Sequence, residues 1–361
     1  MPNVTNILDT ARNLIRFRTT PDRPEEIKHC LEYVQDFMIK AGWSAKDYVC
    51  KGSESLYFGE NLKPKVLFAA HLDVVPGDDR QFEPREDNGR LYGRGALDMK
   101  SGTAALMHLA AEIGPNSELG FMVTADEEAG GFNGSKFLLE QGLRPQIVIL
   151  PDGGKDWRNI VLKEKGVLWL KLVSHGKAAH GSTPWQGANA ILKLNRALES
   201  IQTLFVATSE HPQDHWIATC NVGLIEGGAA ANKVADLASA ICDIRLTEHD
   251  DPQKIMSEIS ARLPEGIELE KLLDEPMVFV PQDHPAVLAY AEAIRSQGGT
   301  PNFILEHGSS DARFFMPFKI PVILSQPIGD GHHGKDEWVD ITSMNVYRDT
   351  VRQFLRAFAG L

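Results

Sequence analysis

The sequence predicts an α/β chain: a mostly parallel sheet flanked by helices, interrupted by a smaller α+β sandwich. Three observations predict it. Short apolar runs at residues 66–70, 119–124 and 147–150 alternate with segments of helical period, as strand–helix–strand units do. A histidine or an acidic residue follows each run, and ligands of parallel sheets gather beyond the carboxyl ends of the strands. The pattern changes character near residue 167, and helix/strand alternation returns near residue 280.

Taken in order, apolar residues recur at helical spacing over 5–18 (Ile7, Ala11, Leu14, Ile15) and 24–42 (Ile27, Leu31, Val34, Phe37, Met38), with Gly42 as a stop. The strand at 66–70 follows, then a turn-rich stretch, 76–95, whose Arg-Leu-Tyr segment is too short to assign. Residues 101–113 form a small-residue helix that can pack closely on a sheet. A strand at 119–124, a helix at 132–141 and a strand at 147–150 come next. In the middle, 167–173 alternates as a strand, 188–203 is an amphipathic helix, 218–225 and 235–246 are strands, and 251–263 is a helix. Either 267–272 or 277–280 closes that sheet. A helix at 285–297, a strand at 320–324 and a helix at 341–358 complete the chain. The simplest topology is a discontinuous domain of residues 1–166 and 279–361, with residues 167–278 inserted as a second domain.

At 361 residues the chain exceeds what one compact core usually serves. Its 37 Lys and Arg against 49 Asp and Glu give a net charge of −12, with no basic stripe. That excludes nucleic acid and anionic membrane as expected partners. No stretch is long enough to span a bilayer, and the N-terminal segment has no apolar core of a signal peptide. The four cysteines show no Cys-x-x-Cys spacing and read as reduced thiols of a cytoplasmic protein.

Five pieces of sequence carry the chemistry. His71 and Asp73 end the first strand; two residues apart in extended chain, they face one side. Asp98 stands in Gly93-Arg94-Gly95-Ala96-Leu97-Asp98, before a helix. Glu127 and Glu128 follow a strand and precede Gly130-Gly131. Asp152 follows Leu150-Pro151, and His333 lies in Gly331-His332-His333-Gly334. Singly these are ordinary: Asp98 suits an N-cap, and Glu127-Glu128 a solvated acidic pair. Their joint placement on one sheet edge points instead to a nitrogen/oxygen metal site for Zn²⁺, Co²⁺ or Mn²⁺. One zinc needs three protein ligands and an open position. Five candidates fill two sites if one carboxylate bridges. Adjacent side chains at a strand end diverge, so one of Glu127 and Glu128 can reach a metal and the other a water.

At these residues the chain closely resembles the di-zinc aminoacylase/carboxypeptidase family, which includes acetylornithine deacetylase, succinyl-diaminopimelate desuccinylase, aminoacylase, glutamate carboxypeptidase and several dipeptidases. The segments that carry the likeness are HLDVVPG, LYGRGALDMKSG, TADEEAGG, HGKAAHGSTPWQGANAI, GGAAANKVADLASAICDIR, GSSDARFF and HHGKDEW. The resemblance implies a zinc-exopeptidase-like catalytic domain, with the inserted domain serving as lid and dimerisation surface. It implies Asp98 as bridging ligand, His71 and Asp152 completing one metal, and Glu128 and His333 the other. Glu127 would be the general base, and Asp73 would orient His71. His333 is chosen over His332 because Glu337 follows it by four residues. From the lid, His180 resembles an oxyanion-stabilising histidine that reaches across a homodimer. Asn232, Arg245 and Ser309 resemble groups that hold the substrate. A cis peptide between Asp98 and Met99 is also implied.

Two departures bear on substrate. Family deacylases and carboxypeptidases often have Glu-Pro where this chain has Asp152-Gly153, whereas aminopeptidases and dipeptidases tend to have Asp. The desuccinylase carries paired arginines where this chain has Glu164 and Lys165. The expectation is therefore a di-zinc hydrolase of N-acyl amino acids or short peptides with a free carboxylate. Its alternatives are a dipeptidase or aminopeptidase in place of a deacylase, succinyl-diaminopimelate desuccinylase, and a metal-binding scaffold without activity.

Overall fold

The computed structural model describes residues 6–205 and 215–361; residues 1–5, where the first expected domain and first expected helix begin, lie outside that range. The chain divides into two compact units. One comprises the chain up to residue 164 with 278–306 and 310–361; the other comprises 165–277 and 307–309.

The first unit is built on a nine-stranded sheet. Its centre is parallel: Leu119–Thr124, Val66–His71, Ile147–Leu150 and Val322–Leu324 lie side by side in that order. Every residue of these four strands is buried, which is why they read as unbroken apolar runs. The margins are mixed. A hairpin of Ala45–Cys50 and Ser53–Phe58 pairs beside Leu119–Thr124. On the other side Asn159–Glu164 pairs antiparallel with Val278–Phe279 and parallel with Asn302–Glu306. Helices Ile7–Arg16, Ser101–Ile113, Pro285–Ser296 and Ile341–Phe358 pack on one another. Gly102, in the first turn of its helix, shows how tight this is: a Cβ there would stand 2.5 Å from that of Pro151.

The expected helix at 132–141 is shorter, Ser135–Glu140. The Asp126 carboxylate accepts from the Asn133 and Gly134 amides and holds that stretch as a turn. The Arg-Leu-Tyr segment is a strand, Arg90–Tyr92. It belongs to a small sheet ordered Gly329–Asp330, Trp338–Asp340, Arg90–Tyr92, Arg85–Asp87. This sheet ties the chain around residue 90 to the hairpin that carries His332 and His333.

The second unit is a four-stranded antiparallel sheet, ordered Thr219–Gly227, Leu237–Leu246, Gly166–His175, Ile267–Glu275. Leu168, Leu170 and Leu172 alternate inward and share a core with Leu194, Ala240, Cys242 and Ile244. Helices Ala190–Gln202 and Pro252–Arg262 complete it. Ile267–Glu275 is the closing strand; the alternative, 277–280, contributes Val278–Phe279 to the first unit's sheet. All four cysteines are free thiols. Among the described residues, no helix is long and apolar enough to cross a membrane.

Candidate metal centre

The carboxyl ends of the parallel strands bring five sequence-distant segments together. His71 is the last residue of Val66–His71, Glu127 and Glu128 follow Leu119–Thr124, and Asp152 follows Ile147–Leu150. Asp98 stands in a kinked turn ahead of helix Ser101–Ile113, and the Asp98–Met99 peptide is cis. His332 and His333 come from the small-sheet hairpin.

Asp98 is the hub. Its Oδ1 lies 3.2 Å from His71 Nε2. Its Oδ2 lies 3.1 Å from His333 Nε2 and 2.6 Å from His332 Nε2. His71 Nε2 is also 4.0 Å from Asp152 Oδ2, and His333 Nε2 is 3.3 Å from Glu128 Oε1. The two oxygens of one carboxylate thus face two groups of donors. His332 and His333 stack with centroids 3.9 Å apart, and the contact with Glu128 is made by His333. His333 adopts φ 58°, a left-handed conformation that costs a non-glycine residue roughly 1–2 kcal/mol.

Asp73 supports this arrangement from beneath. The His71 Nδ1 lies 3.0 Å from the Asp73 carbonyl oxygen and 3.5 Å from its Oδ1. The other carboxylate oxygen, Oδ2, accepts from the Glu128 amide at 2.8 Å. A carboxylate and carbonyl on one ring nitrogen leave the other nitrogen free for a metal. The acidic turn is held by Asp126, whose carbonyl accepts from Gly131 N at 2.7 Å. Gly131 has φ 67°, and a Cβ on it would stand 2.0 Å from Asp311 Oδ1, so this turn requires glycine. At Asp152, the following Gly153 and Gly154 amides donate to Gln326 and Glu306.

The electrostatics follow from crowding. Burial raises the pKa of Glu127 and of Asp152 well above the carboxylate range, and the Asp98 charge adds to both shifts. Burial acts on Asp98 in the same sense, but hydrogen bonds from His332, His333 and His71 outweigh it and hold Asp98 well below that range. Burial lowers His71, but its hydrogen bonds to Asp73 and Asp98 win, and it sits well above the usual imidazole value. His333 is pushed up to about 10 by its bonds to Asp98 and Glu128.

These residues fit divalent ions. A tetrahedral ion with bonds of about 2.0–2.2 Å sets neighbouring donors roughly 3.3–3.6 Å apart. The 3.1, 3.2 and 3.3 Å separations around Asp98 and His333 approach that edge length; 4.0 Å to Asp152 is wider. The ligand atoms of His71, Asp98 and Asp152, and those of Asp98, His332 and His333, form two groups each spanning no more than 4.8 Å.

The four remaining residues singled out in the sequence lie in the second unit. His180 is exposed, its Nδ1 2.7 Å from Ser182 Oγ. Gly181 N donates to Asn232 O at 2.7 Å, so His180 and Asn232 stand on adjoining segments. Arg245, on strand Leu237–Leu246, is held by both oxygens of Asp243, at 2.9 and 3.0 Å. Ser309 belongs to the 307–309 segment, and its Oγ is buried without a partner among the described residues. Sequence reasoning passed over Arg94, Asp126 and Asp311, weighed His332 only as the alternative to His333, and used Glu337 only as a spacing mark. Glycine-flanked Arg94 and the acidic residue directly ahead of Glu127 were the available signals.

The family model for peptidase family M20/M25/M40 matches residues 67–357. A succinyl-diaminopimelate desuccinylase of Helicobacter pylori (strain P12) is 28% identical over 319 residues, covering 84% of this chain and 82% of that one. A protein of Aspergillus flavus named "probable carboxypeptidase" is 30% identical over 299 residues, covering 73% and 71%. An M20 family metallo-carboxypeptidase from Sulfolobus solfataricus shares the fold, with a TM-score of 0.81 at 20% identity, over 99% of this chain and 100% of that one. With the match spanning most of its length, and with ligand-type residues gathered at the sheet edge, this chain belongs to peptidase family M20/M25/M40 and is a hydrolase of the metallopeptidase type.

Proposed function

We propose that this chain is a two-metal amidohydrolase that cleaves an N-acyl amino acid or a short peptide bearing a free carboxylate. The observation that carries the reading is the division of Asp98, with one oxygen toward His71 and the other toward His333. His71, Asp98 and Asp152 would hold one ion, and Asp98, Glu128 and His333 the other. Zn²⁺ suits this nitrogen/oxygen donor set, as do Co²⁺ and Mn²⁺. Bound divalent ions supply Lewis acidity toward the scissile carbonyl and lower the pKa of a water. Glu127 accepts the proton of the attacking water and returns it to the leaving nitrogen. Asp73 keeps His71 in the tautomer whose Nε2 is free. Arg245 binds the substrate carboxylate once Asp243 yields it, with Asn232 and Ser309 assisting, and His180 stabilises the oxyanion.

The second unit serves as lid and as the surface of a homodimer. Its edge strand Thr219–Gly227 exposes Leu224 and Ile225, and Ile191 of helix Ala190–Gln202 reaches the same end, near Gly227. Such an apolar edge suits self-association. A cytoplasmic location is part of the same reading.

Relatives are named both as desuccinylases and as a carboxypeptidase. Two residues of this chain favour short peptides over an anionic succinyl group. The Glu164 carboxylate is buried and accepts from Ser310 N and Oγ, and the Lys165 ammonium donates to Ile217 O at 2.7 Å. Neither presents a free cation. The test is amine release from N-acyl amino acids, dipeptides and succinyl-diaminopimelate with zinc- or cobalt-loaded enzyme. Turnover of dipeptides or N-acyl amino acids, lost on chelation, is expected. A preference for succinyl-diaminopimelate would overturn the substrate reading, and inactivity toward all three classes would favour a scaffold.

A further inference from the structure

Glu337 is a buried carboxylate beside the candidate metal centre whose four hydrogen bonds all come from the segment 94–98. It is 1% exposed. Its Oε1 accepts from Leu97 N at 2.9 Å and Asp98 N at 3.1 Å. Its Oε2 accepts from Gly95 N at 3.1 Å and Arg94 Nη1 at 2.7 Å. Arg94, itself buried, donates through Nη2 to the carbonyl of His333 at 3.1 Å. Gly93 N donates to the Glu337 carbonyl at 3.1 Å. The pair therefore joins the loop bearing Asp98 to the loop bearing His333 and spans 239 residues of sequence between Asp98 and Glu337.

A buried ion pair is a poor device for stability alone, because desolvation offsets its attraction. Its value lies in fixing geometry, and here it spans the two loops whose donors meet at 3.1 Å, Asp98 Oδ2 and His333 Nε2. We propose that Glu337 and Arg94 are positioning residues that set the affinity of the Asp98/Glu128/His333 site, leaving the His71/Asp98/Asp152 site largely unchanged. The inference rests on the two-metal reading above. Asp98 is common to both sites, but its Oδ1 is also set by His71, which Asp73 fixes independently of this pair, and Asp152 sits on a loop whose Gly153 and Gly154 amides bond Gln326 and Glu306; His333 is the donor whose own loop Arg94 holds. Supporting groups of this kind typically change metal affinity by roughly 10- to 100-fold.

Glu337→Gln tests this. The amide keeps the volume and one acceptor for Leu97 N and Asp98 N, but turns an NH₂ toward Gly95 N and Arg94, donor against donor. Arg94→Lys is the companion: it keeps the charge but cannot serve Glu337 and His333 O together. Metal-stripped full-length protein is titrated with zinc against a chromophoric chelator, and kcat and KM are measured at several free zinc concentrations. The expected result is two zinc ions in the parent. Both variants should bind one with parental affinity and the other roughly 10- to 100-fold more weakly. Raised zinc should restore kcat, with KM little changed. Equal weakening of both ions, parental affinity for both, or a kcat loss that zinc does not restore would overturn the positioning role. Fewer than two ions in the parent would instead overturn the two-metal reading itself. If Glu337→Gln does not fold, Arg94→Lys alone carries the same comparison.

Discussion

Replacing Asp98 by alanine separates a shared carboxylate from a set of independent acidic residues. Asp98 contributes Oδ1 to the donors around His71 and Oδ2 to those around His333. His71→Ala removes one donor of three from one group only, whereas Asp98→Ala removes one donor of three from each. An ion present at about 1,000 times its Kd stabilises the folded state by about 4 kcal/mol. For a domain of this size that raises Tm by roughly 8–16 °C per ion. Metal-stripped protein is melted with and without zinc, each variant against its own metal-free baseline, and bound zinc is counted by elemental analysis. The parent should bind two ions and show both increments. His71→Ala should keep about one ion and about half of the shift. Asp98→Ala should keep neither. Two bound ions in Asp98→Ala, or a zinc-induced shift equal to that of His71→Ala, would refute the bridging role.

Glu127→Gln should retain two ions and lose on the order of 10²–10⁴ in kcat, the usual size for a positioned acid–base group; near-parental turnover would remove Glu127 from the chemistry. In the metal-free protein hydrogen bonds to Asp73 and Asp98 hold His71 well above the usual imidazole value, and bonds to Asp98 and Glu128 push His333 up to about 10, so protons on these rings compete with zinc. Zinc must displace these protons, so its affinity should fall as pH falls; calorimetry in two buffers of different ionisation heat should detect proton release, and none would contradict the assignment. Glu164, raised from 4.5 to about 7 by burial, binds its proton more tightly folded than unfolded. Its contribution is full below pH 4.5 and is lost as pH rises to about 7, by at most about 3 kcal/mol; Glu164→Gln should narrow the gap in Tm between pH 5 and pH 8, and an unchanged gap would count against it. Mixing His180→Ala with Glu127→Gln and allowing subunit exchange should restore activity if His180 serves the neighbouring copy; demonstrated exchange without recovery would reject action in trans.

The parts of this fold that were readable are those where one physical demand dominates. Val66–His71 and Leu119–Thr124 are buried along their whole length, and burial on both faces leaves an unbroken apolar signature. Helix Ile341–Phe358 carries a regular stripe and an Asp340 cap, and its ends coincide with the expected 341–358. The hairpin Ala45–Cys50 and Ser53–Phe58 was not read, because its outer strand is largely exposed and carries Lys46 and Asp47. Asn159–Glu164 and Asn302–Glu306 were missed as strands because Asn, Lys and Glu dilute short apolar centres, and their pairing spans more than a hundred residues. At the candidate metal centre the strand-end residues could be singled out from position alone. His333 was chosen over His332 only on the four-residue spacing to Glu337 that the family resemblance implies. Only the fold places His333 against both Asp98 and Glu128, with His332 against Asp98.

The charge arrangement itself argues for cations. Asp98, Glu127, Glu128 and Asp152 share one sheet edge, with Asp98 buried and the other three partly so. Without metal, the surroundings favour protons on the neighbours of Asp98: the carboxylates beside His71 and His333 raise both imidazoles, and burial with the Asp98 charge raises Glu127 and Asp152. A structural ion-pair network needs no such arrangement, since Lys or Arg in place of either histidine would neutralise Asp98 permanently. Histidine neutralises it only while protonated, and gives up that proton to a metal at modest cost. The sequence keeps permanent cations one layer back, where Arg94 meets Glu337, and puts exchangeable ones against Asp98. That division of fixed and exchangeable charge is what a metal-loading site requires. It also explains why the supporting residues, unlike the donors, carry no recognisable metal pattern in the sequence.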